Sequence, residues 1–424
     1  MKIPYHKGFM EFDETLFGNL GTTQLHAGMG FRDLPQAAEE IRRSLANPIG
    51  SRRLSEIARG RKRMLVLTSD HTRPMPSRLT MPLLLEEART HNAEIEVRIL
   101  IATGCHRPDS DEEMLEKFGP ELLRTEKFIN HDCHDPHLMS DMGRLPSGGE
   151  LRLNSLVEWA DLIVAEGFIE PHFFAGFSGG RKSILPGIAD EKTVYSNHCA
   201  GFISSDTARA GRLKNNPIHQ DMLFASKAAG LAFILNVVLD SGKNIRRAFA
   251  GHPEKAHAAG CNYVSESATI KAVAADIILT SNGGYPLDQN LYQAVKGMTA
   301  AEACVNPGGV IIMVSACSDG VGGENFYRWM ADGETPGAVL AAIEGRQPHE
   351  TTADQWQAQI LARILTKHKV ILVGAMLDSA TVEMMHMMHA PDIGSALRRA
   401  LGMTRENASI LVIPNGVDVI METS

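Results

Sequence analysis

The sequence lacks the features that would direct it into or across a membrane. Its N-terminal residues contain no apolar core of a signal peptide. The longest apolar run, around residues 231–239, is too short to span a bilayer. The six cysteines form no CxxC pair, which favours reduced thiols. We therefore expect a cytoplasmic protein without a membrane partner.

An excess of basic charge is missing as well. The formal net charge is −8 at pH 7, with both signs spread along the chain, so we expect no nucleic-acid partner. The composition, 44% hydrophobic and 22% charged, is typical of a soluble globular protein. Because 424 residues are too many for one ordinary core, we expect two domains.

Two nucleotide-binding signatures are absent. No GxGxxG follows the first predicted strand, residues 64–68, which weakens an NAD-linked dehydrogenase interpretation. In the glycine-rich segment, Arg181 precedes Lys182 where a P-loop requires glycine. An ordinary phosphate-binding turn is still an alternative for this segment.

Three predicted strands in the first half end in polar, ionisable residues. These strands span residues 64–68, 94–102 and 161–165. In an open parallel sheet, ligands bind at the edge formed by the carboxyl ends of the strands. This placement predicts one shared site for the residues that follow the strands, namely Asp70, Arg73, His106 and His172.

The segment from Glu170 to His198 contains glycines, phenylalanines, two histidines and Lys182. Glycine lets the backbone approach a ligand, and histidine binds metals or moves protons, although a lone histidine is more often structural. Arg181 should favour the neutral amine of Lys182, because a neighbouring cation promotes loss of a proton. Lys182 is therefore a candidate for covalent attachment.

Further elements complete an α/β pattern in both halves. Helices are predicted near residues 34–45, 77–91, 112–118, 206–230 and 253–273, and strands over 232–239, 277–280, 310–314, 370–373 and 410–413. We place the boundary near residues 265–275, giving an N-terminal domain, 1–270, and a C-terminal domain, 271–424. The predicted fold class is α/β, with two Rossmann-like domains, parallel-rich sheets and an active site at their interface.

A helix over residues 289–296, with Asp288 as its N-cap, is predicted early in the second domain. Its spacing puts Lys296 on one face with Tyr292 and Gln293. A solvated face is the usual explanation for such residues. The glycine loop before the helix favours a face that closes over a ligand.

Two stretches that look metal-binding are assigned other roles. Residues 131–137 hold three histidines whose spacing fits no standard zinc pattern, which favours a polar loop. Residues 384–389 hold methionines at helical spacing, which favours core packing.

Several motifs, in order across both halves, resemble the nickel-dependent lactate racemase family. They are Asp70-His71-Thr72-Arg73-Pro74, Thr103-Gly104-Cys105-His106-Arg107, the stretch from Glu170-Pro171-His172 to Gly180-Arg181-Lys182, Asn197-His198, and the stretch from Tyr285-Pro286 to Lys296-Gly297. Together they are far more specific than any single motif.

The resemblance implies a nickel-pincer nucleotide, a Ni(II)-bearing pyridinium mononucleotide with two thiocarboxyl groups. It implies attachment of this cofactor to Lys182 as a thioamide, nickel ligation by His198, and acid–base roles for His106 and His172. Cofactor-biosynthesis enzymes are the implied partners. The remaining cofactor and substrate contacts that it implies are Asp70, His71, Thr72, Arg73, Tyr292, Gln293 and Lys296.

The implied reaction inverts C2 of a 2-hydroxy acid by hydride transfer to the cofactor and back. Arg73 can grip the carboxylate and Lys296 can stabilise negative charge on oxygen, so both are counted as catalytic. Phe174 and Phe177 are candidates for stacking on the cofactor ring. Lactate, malate, aromatic and sugar acids all fit these groups. The alternatives are an NAD-linked 2-hydroxy acid dehydrogenase and a non-catalytic nickel-nucleotide binding protein.

Overall fold

A computed structural model describes residues 1–13, 22–25, 36–240 and 242–422. The first two positions of the helix predicted near 34–45 lie outside these residues. The described residues form strands and helices throughout both halves of the chain.

The strands are numbered in chain order. They are β1 (Lys2–Tyr5), β2 (Gly8–Glu11), β3 (Thr22–Gln24), β4 (Arg63–Ser69), β5 (Glu96–Ala102), β6 (Lys127–Asn130), β7 (Met139–Arg144), β8 (Glu150–Asn154), β9 (Leu162–Phe168), β10 (Pro171–His172), β11 (Gly176–Phe177), β12 (Leu231–Leu239), β13 (Ile245–Gly251), β14 (Thr269–Lys271), β15 (Ala275–Ser281), β16 (Val305–Val314), β17 (Lys369–Val373), β18 (Met388–Ala390), β19 (Ile410–Ile413) and β20 (Ile420–Glu422).

The α-helices are numbered in the same way. They are α1 (Ala37–Ala46), α2 (Leu54–Ile57), α3 (Ser77–Arg89), α4 (Asp111–Thr125), α5 (Leu156–Trp159), α6 (Glu191–Asn197), α7 (Ala200–Ser204), α8 (Pro217–Ala228), α9 (Pro253–Ala268), α10 (Leu291–Glu302), α11 (Glu324–Ala331), α12 (Pro336–Glu344), α13 (Gln355–Leu365), α14 (Ser379–Met384) and α15 (Ile393–Leu401). None of the helices in the described ranges is both long and apolar enough to cross a membrane.

The described residues divide into two compact units. The first unit comprises those in Met29–His198 and Ser205–Glu266, and the second comprises those in Met1–Gly28, Cys199–Ser204 and Ser267–Ser424. The domain ranges 1–270 and 271–424 differ from these units in the N-terminal strands β1–β3, in α7 and in residues 267–270. That two-range division stays a proposal.

The first unit is built on a six-stranded sheet in the order β13-β12-β9-β4-β5-β6. All neighbours pair in parallel except β12 and β13, which are antiparallel. Alternate apolar residues of these strands, such as Val66, Ile99 and Val164, pack with α1, α3 and α4 into one core. Burial of each such side chain contributes about 1.5–3 kcal/mol.

The second unit contains a parallel six-stranded sheet in the order β18-β17-β16-β15-β19-β3. Every residue of β15 is buried, as expected for a central parallel strand. Ile277, Val310 and Val412 pack with Leu397 of α15 in its core. The predicted α/β class with parallel-rich sheets is therefore confirmed.

Several local predictions are corrected by the structure. The N-cap of α10 is Asn290, whose side chain accepts the Gln293 N–H at 3.0 Å. Asp288 is instead buried, and its Oδ2 accepts the His6 N–H at 2.6 Å. The helix predicted to reach residue 273 ends at Ala268, because the chain continues as β14 beside β20.

The two metal-like stretches behave largely as predicted. Residues 131–135 form a loop that leads into a 3-10 helix, Pro136–Leu138, and His131 within the loop is buried against the Ala189 carbonyl. Residues 384–389 cross from α14 through a turn into β18, so the helical spacing was wrong. Met385 and Met387 are nevertheless buried core residues.

Candidate active site

A cleft lies at the carboxyl ends of the central strands of the first unit. It encloses about 600 Å³ of space open to solvent. Asp70 and Arg73 follow β4, His106 follows β5, and Lys182 and Ser183 enter from the glycine-rich segment. The structure therefore brings together residues that three separate strands release at one edge.

Asp70 and His106 form a close pair within this cleft. Asp70 Oδ2 lies 2.6 Å from His106 Nδ1, and its Oδ1 accepts the Thr72 hydroxyl at 2.6 Å. Burial opposes ionisation of Asp70, but the charge and hydrogen bond of His106, with Arg73 and Thr72, lower its pKa well below the usual range. An ionised Asp70 accepts the Nδ1–H of His106, which leaves Nε2 as the proton-exchanging atom.

Arg73 and His71 belong to the same sequence motif as Asp70, but only Arg73 lies in the cleft. Arg73 lines the cleft, and its guanidinium donates to Thr72 Oγ1 at 2.9 Å. His71 does not line the cleft. Its Nδ1 lies 2.8 Å from Asp109 Oδ1, and its N–H donates to the same oxygen at 2.9 Å. The cofactor role of His71 stays a prediction.

His71, Asp109 and Glu113 lie close enough together to hold a metal ion. However, Arg107 forms two hydrogen bonds to the Glu113 carboxylate, at 2.7 and 2.8 Å. This ion pair lowers the pKa of Glu113 to about 2. A metal would have to displace the guanidinium, so we assign the group to ion pairing.

Lys182 and His172 are paired in a way that constrains their protons. Lys182 Nζ lies 2.9 Å from His172 Nε2, and His172 Nδ1 accepts the Ala175 N–H at 3.2 Å. Because Nδ1 provides a lone pair, the proton of a neutral imidazole is on Nε2 and points to Nζ. Attachment of a cofactor would need Nζ in its neutral, nucleophilic form, in which it can accept this proton.

Phe174 joins this pair to His198. Its ring centroid lies 4.6 Å from that of His172 and 5.0 Å from that of His198, edge-on in both cases. Lys182 Nζ lies 5.6 Å from the same centroid. Of the two stacking candidates, Phe174 lies among these groups and Phe177 is buried within β11, and neither is among the cleft-lining residues.

His198 follows α6 as its C-cap and is 4% exposed. Burial, with a contribution from the charge of Lys182, lowers its pKa to about 3. Its imidazole is therefore neutral near pH 7, the form that binds a metal ion. A neutral imidazole and a lysine amine around one aromatic ring fit the donor set that a lysine-tethered nickel cofactor requires.

Arg181 has a structural role in the glycine-rich turn. Its guanidinium is buried and donates to four backbone carbonyls of the glycine-rich turn, those of Ala175, Phe177, Ser178 and Gly179. Nε donates to His219 Nδ1 at 3.0 Å, and NH1 lies 3.0 Å from His257 Nε2. Arg181 thus fixes the turn, and its expected effect on the Lys182 amine stays a prediction.

Sequence reasoning missed Glu166. It is 1% exposed, accepts the hydroxyls of Thr68 at 2.7 Å and Thr80 at 2.5 Å, and lines the cleft. The available signal was a carboxylate inside the otherwise apolar strand β9. Buried charge of this kind needs partners or a function.

The three candidates of the second unit lie on α10. The Tyr292 hydroxyl accepts the Trp356 Nε1–H at 2.7 Å, Gln293 is buried, and Lys296 is half-buried. Tyr292 and Lys296 are one turn apart, as predicted. Their roles toward a ligand stay predictions.

The first unit is expected to lose stability in acid, because several of its histidines are held neutral. Burial lowers the pKa of His131 to about 4, below the value of about 6.5 in an unfolded chain. The folded chain therefore binds fewer protons, so this stability is complete above about pH 6.5 and decreases as the pH falls toward 4. At pH 5 the loss is about 2 kcal/mol for His131. Thermal melts at pH 7 and 5 should differ less for His131→Gln, and an unchanged difference would contradict this assignment.

Comparisons with known proteins agree with the motifs. The family models described as lactate racemase N-terminal domain and lactate racemase C-terminal domain match residues 22–211 and 270–421. The chain is 52% identical over 421 residues to a lactate racemase of Thermoanaerobacterium thermosaccharolyticum, covering 99% of both chains. It is 48% identical over 384 residues to a lactate racemase of Lactiplantibacillus plantarum, covering 91% of both.

Solved structures extend this likeness to the fold. The structure of the lactate racemase apoprotein from T. thermosaccharolyticum matches 100% of this chain and 99% of its own, with a TM-score of 0.93 and 52% identity. A crystal structure of a Thermotoga maritima protein matches 93% and 100% of the two chains, with a TM-score of 0.70. At 19% identity, that second match supports the fold alone.

Proposed function

This chain belongs to the lactate racemase family and is therefore an enzyme of the isomerase class, and we propose the reaction that its cleft performs. It inverts the C2 stereocentre of a 2-hydroxy acid, with lactate as the first substrate to test because two relatives carry that name. Lys182 would hold a nickel-pincer nucleotide, which would supply the hydride acceptor that the inversion needs, and His106 and His172 are the acid–base groups.

One observation carries this proposal. Lys182 Nζ, His172 and His198 surround the ring of Phe174, with Nζ 2.9 Å from His172 Nε2. The arrangement supports three different tasks at one place: a nucleophilic amine for attachment, a neutral imidazole for nickel, and a second imidazole for proton transfer. A simple hydrolase or dehydrogenase has no need for the first two together.

The nucleotide, when bound, supplies an acceptor for hydride, which spares the enzyme from forming a carbanion beside a carboxylate. The chain supplies the rest. Arg73 binds the substrate carboxylate, and each histidine removes the hydroxyl proton from one stereoisomer or returns it to the other. Asp70 orients His106 by accepting its Nδ1–H.

The second unit completes the site in this proposal. Lys296 stabilises negative charge on the substrate oxygen, and Tyr292 and Gln293 contact the cofactor. The domain of residues 271–424 closes over that of residues 1–270 during turnover, which excludes water. Small-angle scattering that is identical with and without substrate would contradict closure.

The test requires protein produced together with the enzymes that make the cofactor. We expect stoichiometric nickel, a mass increment on Lys182, and racemisation of at least one acid in a 2-hydroxy acid panel followed by NMR. Lactate is the first member, followed by malate, aromatic acids and sugar acids. Active protein without nickel and without a mass increment would refute the proposal.

Asp70→Asn is expected to reduce kcat by about 10²–10⁴-fold, the range that acid–base catalysis contributes. The amide can present its NH₂ to His106 Nδ1, which stabilises the tautomer with its proton on Nε2, so that Nε2 cannot accept the substrate proton. The measurement is racemisation rate by chiral chromatography, with KM determined in parallel.

Asp109→Asn is the matched control, because Asp109 also pairs with a histidine Nδ1, at 2.8 Å, but does not line the cleft. It should retain the parental kcat within about threefold. Equal losses in both variants would assign Asp70 a structural role only.

A further inference from the structure

The short helix α7 directly follows the candidate nickel ligand but belongs to the other compact unit. The chain leaves the first unit between His198 and Cys199 and returns to it at Ser205. Within the second unit, α7 packs against α12 and α13. A single residue, Cys199, therefore lies between His198, which we assign to nickel, and α7, which belongs to the second unit.

One buried side chain makes two hydrogen bonds to α7. Gln359 Nε2, on α13, donates to the Ala200 carbonyl at 3.0 Å and to Ser204 Oγ at 2.9 Å. The Ser204 hydroxyl donates in turn to Glu344 Oε1 at 3.1 Å, on α12. Because Gln359 is only 2% exposed, water cannot readily replace these bonds if the amide is removed.

His198 is fixed from its other side by α6. Its N–H donates to the carbonyls of Val194 and Tyr195, at 2.9 and 3.2 Å, which ends that helix. The backbone of His198 is thus set between the end of α6 and the start of α7. A shift of α7 must move His198, because a two-residue connection has little slack.

We propose that Gln359 is a positioning residue for nickel, which acts by holding α7 and so the orientation of the His198 imidazole. The inference rests on the proposed function. It adds that a residue of the second unit affects how tightly the protein retains nickel. Groups that orient a metal ligand commonly change metal affinity by about 10–100-fold when removed. Gln359 itself touches neither substrate nor cofactor in this account.

The test compares Gln359→Met with Gln355→Met in cofactor-loaded protein. Gln355 is a matched control, since it is equally buried on α13 but its Oε1 accepts the Thr352 N–H at 3.3 Å. Nickel release into excess chelator is followed by a coloured chelate, alongside the melting temperature. We expect release from Gln359→Met to be at least about tenfold faster than from parent or control.

A milder variant allows the same test if Gln359→Met fails to fold. Ser204→Ala removes one of the two acceptors and should accelerate release by about threefold. Equal release rates for parent, both glutamine variants and Ser204→Ala would overturn this inference alone. A parent protein that contains no nickel would overturn the proposed function, and with it this inference.

Discussion

Lys182→Arg is expected to abolish racemisation and to leave no mass increment on the chain. Attachment requires a neutral amine, and an arginine side chain stays protonated in proteins. The variant keeps a cation at this position, so a loss cannot be attributed to missing charge. Without the tether the enzyme lacks its hydride acceptor, and turnover should fall below detection.

Intact-mass spectrometry and polarimetry on the same co-produced sample measure both effects. Lys192→Arg is the control, because Lys192 lies in the same region, is exposed on α6, and should tolerate the change. A Lys182→Arg protein that racemises within about tenfold of the parent rate would remove lysine attachment from the mechanism.

The edge of the sheet that carries the site could be predicted from sequence for a simple reason. Short apolar runs such as that of β4 form buried parallel strands almost regardless of context, and such sheets bind ligands at their carboxyl ends. Of the four residues that this rule placed there, Asp70, Arg73 and His106 line one cleft, whereas His172 is not among its lining residues. It also gave the α/β class of both halves.

The pairings inside the cleft could not be predicted, because they depend on tertiary contacts. Arg181 follows the glycine-rich turn in sequence, yet only the folded chain shows that it binds the carbonyls of that turn. Asp288 has the composition of an N-cap, but a backbone N–H from His6, 282 residues earlier, binds its carboxylate. Asn290 then caps α10. Local rules could not decide between these two residues.

Single-histidine variants are expected to show the second large effect. His106→Gln and His172→Gln should each lose racemisation by about 10²–10⁴-fold, because inversion needs proton transfer on both faces of the planar 2-keto acid. Each variant keeps one histidine, so it should still oxidise one stereoisomer once. Glutamine at position 106 can still donate to Asp70, which preserves packing.

Rapid-quench single turnovers of loaded enzyme with each pure stereoisomer measure this directly, with the 2-keto acid quantified by chromatography. We expect about one equivalent of keto acid from one isomer with His106→Gln and from the opposite isomer with His172→Gln. His134→Gln, whose exposed imidazole pairs with Glu191 and does not line the cleft, should racemise normally. Opposite preferences require two bases on opposite faces of the substrate. The same preference in both variants would mean that a single base serves both stereoisomers, which would leave the pairing of His172 with Lys182 as a device for attachment only.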